Sequence, residues 1–168
     1  VQTLSDFFRA SLNSGKDIVS LEGECRHITS YLQIQQVRYQ DILTYDVDIP
    51  EEIANCKIPK ITLQPLVENA LYHGIKNKRG KGRIVVTGRR EKDKCVIRVE
   101  DNGIGMTKER LNQVRGGLTT KIEDGNDFYG LYNVNERIRL KFGEGYGLSI
   151  DSVLQEGTCV EVWLPWES

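Results

Sequence analysis

The chain has 168 residues, with 23 Lys+Arg against 24 Asp+Glu and a formal net charge of −1. Hydrophobic residues make up 39% and charged residues 28%, which excludes both a membrane-embedded chain and a disordered one. The even charge balance argues against nucleic acid as a partner, which would select a basic excess.

No apolar run approaches the ~20 residues of a membrane span, and no signal peptide opens the chain. The first residue is Val1 rather than Met, so the chain reads as a fragment of a longer protein.

Leu4, Phe7, Phe8 and Leu12 form the stripe of a short amphipathic helix over 4–14, which Ser14-Gly15 ends. A second helix is expected at about 22–40, with Ile28, Tyr31, Leu32, Gln35 and Tyr39 on one side. Leu43, Tyr45, Val47 and Ile49 alternate as a strand does, and Pro50 stops it. From Ile61 the helical period returns through Leu63, Leu66, Val67, Ala70 and Leu71. Thr62 is its expected N-cap, Pro65 fits the first turn and Gly74 is its expected C′ residue.

A hairpin follows, Arg83–Arg89 and Cys95–Glu100 about a turn at 91–94. Thr107–Val114 suits a short helix. Residues 115–129 are rich in Gly and polar residues with few apolar ones, and read as a mobile lid. Leu131, Val134, Ile138 and Phe142 mark a helix that Gly143 ends. Leu148–Val153 and Val160, Val162, Leu164 form a last strand pair, with Gly157 in the turn and Pro165 as the stop. The elements sum to an α+β fold of four or five mostly hairpin-connected strands and three strongly periodic helices.

The cysteines Cys25, Cys56, Cys95 and Cys159 are too widely spaced for a zinc or redox pair, and read as buried thiols in a reducing cytoplasm. Only His27 and His73 are present, which leaves little room for imidazole-based metal chemistry. Ten of the sixteen glycines follow Glu100, several where strands should pass into helices and backbone can approach a ligand.

Four segments could carry chemistry. Asp101-Asn102-Gly103-Ile104-Gly105-Met106 places a carboxylate at a strand end before two spaced glycines. Asp101 can accept from an amine such as the adenine 6-amino group, and the glycines leave room for a flat ring; the same residues also suit an ordinary turn. Glu68-Asn69 interrupts an apolar helical stretch, offering an amide oxygen to Mg²⁺ and a base beside it, or only a polar helix edge. Gly130 opens a helix after a polar loop, where free N–H groups suit a phosphate or simply start a helix. Gly157-Thr158 lies in a hairpin turn, which alone explains it.

The order of these segments resembles the ATP-binding fold shared by gyrase, Hsp90, histidine kinases and MutL. More narrowly, the chain resembles the YesM/LytS-type sensor histidine kinases along nearly its whole length. Leu4-Ser5-Asp6-Phe7-Phe8-Arg9 is similar to the end of that family's dimerisation region. Leu21-Glu22-Gly23-Glu24 through Ile34, with Arg38-Tyr39, resembles its connecting helix. Leu63 to Ala70 with His73-Gly74 matches its N box. Asp101 to Met106, Gly130-Leu131 with Asn133-Val134, Glu136-Arg137 and Gly157-Thr158 match its glycine boxes.

The resemblance implies a two-layer α/β sandwich (the Bergerat fold), with a mostly antiparallel mixed sheet covered by helices on one face. It divides the chain into residues 1–40, the end of the dimerisation region and connecting helix, and 41–168, the catalytic domain. It implies that Asn69 holds Mg²⁺, Asp101 reads adenine, Gly103 and Gly105 line the base, and Thr158 sits beside it. Gly130-Leu131 would end the lid near the phosphates. His73 and Met106 complete the nucleotide-binding set, and Glu68 could assist proton transfer.

The implied activity is transfer of the ATP γ-phosphoryl group to a histidine and on to a response regulator. The implied parent is a homodimeric, membrane-anchored bacterial sensor of which this is a cytoplasmic part. Phe128 stands where the family usually has glycine, and Tyr72 where it often has lysine, whose phosphate contact Lys76 or Lys78 would have to supply. The family's acceptor run is absent from the chain; His27 reads as a solvated helical residue and His73 as part of the N box. The rival readings are an ATPase in which Glu68 activates water, and an interaction module that has kept the fold without kinase activity.

Overall fold

The computed structural model describes residues 17–76, 78, 80–120 and 129–166. The expected helix at 4–14, and Lys121 and Phe128 in the expected lid, lie outside the described residues. In chain order the elements are β1 (Ile18–Ser20), α1 (Leu21–Arg38), β2 (Leu43–Asp48), β3 (Lys57–Pro59) and α2 (Leu63–Asn69), which continues as a π-helical turn over Ala70–Ile75. Then come β4 (Gly82–Glu91), β5 (Lys94–Asp101), α3 (Lys108–Gly117), α4 (Tyr129–Phe142), β6 (Gly147–Val153) and β7 (Gly157–Pro165).

The main sheet has the order β2-β4-β5-β7-β6, and the expected α+β arrangement is present. All its pairings are antiparallel except β2 with β4, which run parallel from Leu43↔Gly82 to Asp48↔Thr87. A parallel pair cannot be joined by a hairpin, so the chain crosses over between them through β3 and α2. The β4–β5 turn is tighter than expected, because pairing continues to Glu91↔Lys94 and leaves only Lys92-Asp93 to turn. The short strands β1 and β3 pair with each other and have no counterpart in the sequence reading.

One sheet face is apolar. Ile84 and Val86, Ile97 and Val99, and Val160 and Val162 are buried there against Ile28 and Leu32 of α1, Leu66 and Leu71 of α2, and Val134 and Ile138 of α4. The opposite face carries ion pairs such as Arg89–Glu161. All four cysteines are free; Cys25, Cys56 and Cys95 are buried and Cys159 is half-buried. Burial pushes Cys25 up to about 12 and Cys159 up to about 11, so both remain thiols at neutral pH.

The expected lid begins as packed structure. Helix α3 runs on to Gly117, and Leu118 is buried. Arg115 donates through Nε and Nη2 to the Ile150 carbonyl of edge strand β6. Buried Asn135 of α4 joins the same region, donating to the Leu118 carbonyl and accepting from the Leu148 N–H, each at 2.9 Å. The density of polar side chains in this stretch hid a few long-range contacts that fix its first four residues.

The start of α2 also differs from expectation. Thr62 has helical dihedrals, and its hydroxyl donates back to Pro59, so it does not cap. The cap comes from α1. Glu24, 3% exposed, accepts from the N–H groups of Ile61, Thr62 and Leu63 at 2.8, 3.0 and 3.1 Å. Two of the donors, on Thr62 and Leu63, are among those a helix start leaves without partners, and a carboxylate also suits the positive end of the helix dipole. Arg137 of α4 holds the other side of this turn, donating to the carbonyls of Lys60 (2.7 Å) and Ile61 (2.6 Å). Desolvation lowers the Arg137 pKa, and the Glu24 charge opposes that shift. Between the two, Ile61 is held at φ 58°, a conformation costly for a β-branched residue.

Glu24→Ala would leave three N–H groups without their acceptor. With roughly 1–3 kcal/mol for an abandoned buried partner and about 1 kcal/mol for a lost cap, the loss should be on the order of 3 kcal/mol. A thermal melt should fall by roughly 6–12 °C. A shift of less than about 2 °C would show that water replaces the carboxylate at no cost.

Candidate functional site

A cleft of about 190 Å³ opens between the π-helical turn after α2 and the end of β5. Its walls come from three directions. Leu66, Asn69, Ala70, His73 and Gly74 face it from α2 and its extension; Asp101, Ile104, Gly105 and Met106 from the end of β5; Leu131, Ile150 and Thr158 from α4, β6 and β7. Seven of the expected site residues therefore meet in one place: Asn69, His73, Asp101, Gly105, Met106, Leu131 and Thr158.

Gly103 lies under the cleft rather than in its wall, packed against the backbone of Gly74. Gly130 adjoins Leu131 at the start of α4, beside Pro65. Glu68 does not line the cleft; its carboxylate accepts from Gln64 Nε2 at 2.8 Å, one turn earlier on α2. Gln64 Oε1 is in turn 3.0 Å from His27 Nε2 of α1. His27 is thus half-buried and tied to α2, not the solvated residue expected, because α1 lies directly against the Gln64 face. Tyr72 is hydrogen-bonded to Tyr31 of α1, and Lys76 stacks over its ring at 5.5 Å. Lys78 donates to the Asn102 carbonyl at 2.7 Å.

Asp101 is the electrostatic centre of the cleft and 8% exposed. Burial raises its pKa to about 6, against the N–H groups of Gly103 and Thr158, which bond to the carboxylate and pull it down. Gly103 donates at 2.8 Å. A carboxylate has about four acceptor positions, so two donors leave capacity for a ligand.

The backbone around Asp101 is packed so closely that side chains are excluded. A Cβ on Gly74 would lie 2.5 Å from Asp101 Oδ1, and one on Gly103 would overlap the Gly74 backbone. This explains why Gly74 does not act as the expected C′ residue. It is inside the π-helical turn, where its missing side chain admits the carboxylate. The sequence motif gave Gly74 no such role, since the contact joins residues from separate elements. Arg110 of α3 and the apolar walls Val99, Ile150 and Val160 were likewise not recognisable as site residues. Their periodicity marked the last three only as core.

Residues 59–168 match the family described as histidine kinase-, DNA gyrase B-, and HSP90-like ATPase. The chain belongs to this family. Residues 1–43 match a second family, described as histidine kinase. Sensor histidine kinase YesM of Bacillus subtilis (strain 168) is 36% identical over 166 residues, covering 98% of this chain and 27% of that protein. Sensor histidine kinase BtsS of Escherichia coli (strain K12) is 34% identical, covering 99% and 27%. Sensor protein LytS of Staphylococcus saprophyticus is 34% identical, covering 98% and 28%. The chain spans about a quarter of the length of these relatives.

Among solved structures, the histidine kinase domain of the Erythrobacter litoralis EL346 blue-light activated kinase superposes with a TM-score of 0.62 at 16% identity, covering 98% of this chain and 70% of that one. The catalytic domain of histidine kinase ThkA gives 0.63 at 11% identity, covering 89% and 98%. Fold and sequence agree on the histidine kinase-, DNA gyrase B-, and HSP90-like ATPase family, and YesM and BtsS, which match along nearly the whole chain, are sensor histidine kinases.

Two glycines separate the constraints of the cleft from those of the surface. Gly103→Ala should abolish ADP binding or the folded state, because the added methyl meets backbone rather than a movable side chain. Gly116→Ala, with nothing within 4 Å of the new atom, should raise stability by a few tenths to about 1 kcal/mol and leave ADP affinity unchanged. Melting curves and ADP titration of the two variants check this.

Proposed function

We propose that the cleft holds Mg·ATP with its adenine on Asp101, and that the chain presents the γ-phosphoryl group to a histidine on the dimerisation helix of a homodimeric parent. The observation that carries this reading is Asp101 itself. It is a buried carboxylate, fixed by two backbone donors, with acceptor capacity left at the bottom of a cleft with an apolar wall. An exocyclic amine fits that vacancy, and a flat ring fits between Ile104-Gly105-Met106 and the α2 wall.

Asn69 is the proposed metal contact. Its buried amide nitrogen has no hydrogen-bond partner among the described residues, and a half-turn of the amide presents its oxygen instead. Among the described residues no cluster of three or more His, Cys, Asp or Glu could hold a metal alone. That suits Mg²⁺, which arrives on phosphates, keeps several waters and takes few protein ligands. When bound, it neutralises charge developing on the transferred group.

Leu131 and Gly130 would flank the phosphates where α4 begins, and Thr158 and His73 would complete the wall. Glu68, held by Gln64, is the group we assign to orient or deprotonate the incoming imidazole. An imidazole nitrogen then bonds to phosphorus as the bond to the β,γ-bridging oxygen breaks, and ADP leaves. The phosphoryl group passes on to a response regulator.

Residues 1–40 are proposed to connect the dimerisation region to the catalytic domain at 41–168. The parent would be a membrane-anchored sensor with this part in the cytoplasm. Among the described residues no helix is long and apolar enough to cross a membrane.

Asp101→Asn replaces an acceptor with a group that can turn a donor towards the adenine amine. Losing a charge-assisted hydrogen bond costs about 1.5–3 kcal/mol, so ADP affinity should fall on the order of tenfold or more by calorimetry. Unchanged affinity would remove Asp101 from the base.

The pH dependence has a defined sign. The folded pKa of Asp101 is raised to about 6, so this group's contribution to the stability of the empty protein is full below the unfolded value and is lost as pH rises through 6. Adenine needs the carboxylate, so ADP affinity should move the opposite way, flat above about pH 6 and falling about tenfold per unit below it. In Asp101→Asn that dependence should vanish.

Asn69→Ala should weaken Mg·ATP far more than adenosine. Equal losses for both ligands would assign Asn69 to folding instead.

A further inference from the structure

Three residues lie in a row across the end of the sheet. Thr158 of β7 is directly opposite Asp101 of β5 on one side and Ser152 of β6 on the other. Thr158 lines the cleft, whereas Ser152 does not. The Ser152 hydroxyl donates to the Gly157 carbonyl at 2.9 Å, and Ser152 Oγ is 2.8 Å from Thr158 Oγ1.

The protons can be counted. Each hydroxyl has one, and a carbonyl oxygen only accepts. Ser152 spends its proton on Gly157, so the proton in the Ser152–Thr158 bond comes from Thr158. The opposite arrangement leaves the Gly157 contact without a proton and makes one hydrogen bond fewer. Thr158 is therefore committed as a donor to Ser152, and what it turns to the cleft is lone pairs. Its neighbour Asp101, as a carboxylate, also offers only acceptors.

We infer that Ser152 is a specificity-determining residue: by holding the Thr158 proton out of the cleft, it makes the base-binding end an all-acceptor edge that selects a 6-amino purine over a 6-oxo purine. This rests on the assignment of Asp101 and Thr158 to the base. A 6-oxo group meets no donor on this edge while the Thr158 proton is engaged. Freed from Ser152, the Thr158 hydroxyl can rotate and donate to that oxygen. Ser152 touches no nucleotide; it acts through Thr158.

The test is calorimetric titration of ADP and IDP, which carry an amine or a carbonyl at purine position 6 and an acceptor or an N–H at N1, so the reading is the change in their ratio between variants rather than the ratio itself. Ser152→Ala should leave ADP affinity within about threefold and strengthen IDP about five- to tenfold, the worth of one hydrogen bond. Ser152→Thr keeps the hydroxyl and should keep the parent ADP:IDP ratio. In a Thr158→Val background, Ser152→Ala should no longer change the ratio.

A purely structural Ser152 would weaken both nucleotides together and leave the ratio fixed in every variant, which overturns the inference. If Ser152→Ala does not fold, an altered ratio in Ser152→Thr, or a ratio in Thr158→Val equal to that of the parent, overturns it as well. Failure of the adenine assignment gives a separate result, an Asp101→Asn variant that binds ADP like the parent. In that case both readings fall. If Asp101→Asn weakens ADP and Ser152→Ala leaves the ratio unchanged, only the role of Ser152 falls.

Discussion

The turn at Lys60-Ile61 is gripped from both sides, and the cleft depends on that grip. Glu24 takes its N–H groups and Arg137 its carbonyls, so α1, α2 and α4 meet at one stretch of backbone. Ile61 would not adopt a positive φ unaided; a conformation of this kind costs on the order of 1–3 kcal/mol and persists only where surrounding contacts over-determine it. Here a buried carboxylate and a guanidinium do so. The direction of α2 follows from this turn, and with it the positions of Asn69 and His73 in the cleft wall. Helix α1 is thereby part of the packing beneath the cleft, with Leu21, Ile28 and Leu32 wholly buried.

Asp101 shows a second balance. An apolar site favours the neutral acid, whereas backbone donors and a ligand amine favour the carboxylate. The two N–H groups offset only part of the burial, so the side chain stays titratable near neutrality. The glycines at 74 and 103 serve the same end, since without side chains they let backbone pack closely around the carboxylate.

The parts of the fold that repeat with a period could be read from the sequence. Helices α2 and α4 and both hairpins lie within a few residues of where their apolar patterns put them. The residues alone left Asn69, Asp101, Gly105 and Thr158 open to a turn or a helix edge; it was the resemblance to the family's N and glycine boxes that put them at one cleft, where all four line the wall. What could not be read is set by partners far along the chain. Thr62 had the right chemistry for a cap, but Glu24, 38 residues away, took its place. Strands β1 and β3 have three residues each, too few to show alternation. The π-helical turn has no sequence signature of its own, and it decides that Gly74 faces Asp101 instead of ending a helix. Glu68 and Asn69 are neighbours in sequence, and helical geometry alone turns them to different sides.

The long-range contacts also set an order of assembly. The two hairpins close over short turns, but β2 meets β4 only after a crossover, and Ile61 and Arg137 are 76 residues apart. Loop closure is costlier for the distant pairs and rates fall with contact order, so the hairpins should form early and the gripped turn late. Synthesis reverses that convenience. Helix α1 leaves the ribosome before the core and the turn that hold it in place. At about 5–20 residues per second, the interval between residue 24 and residue 137 takes roughly 6–23 s to synthesise. Until then the core that Leu21, Ile28 and Leu32 enter lacks α4, β6 and β7, so α1 stays incompletely covered through much of translation.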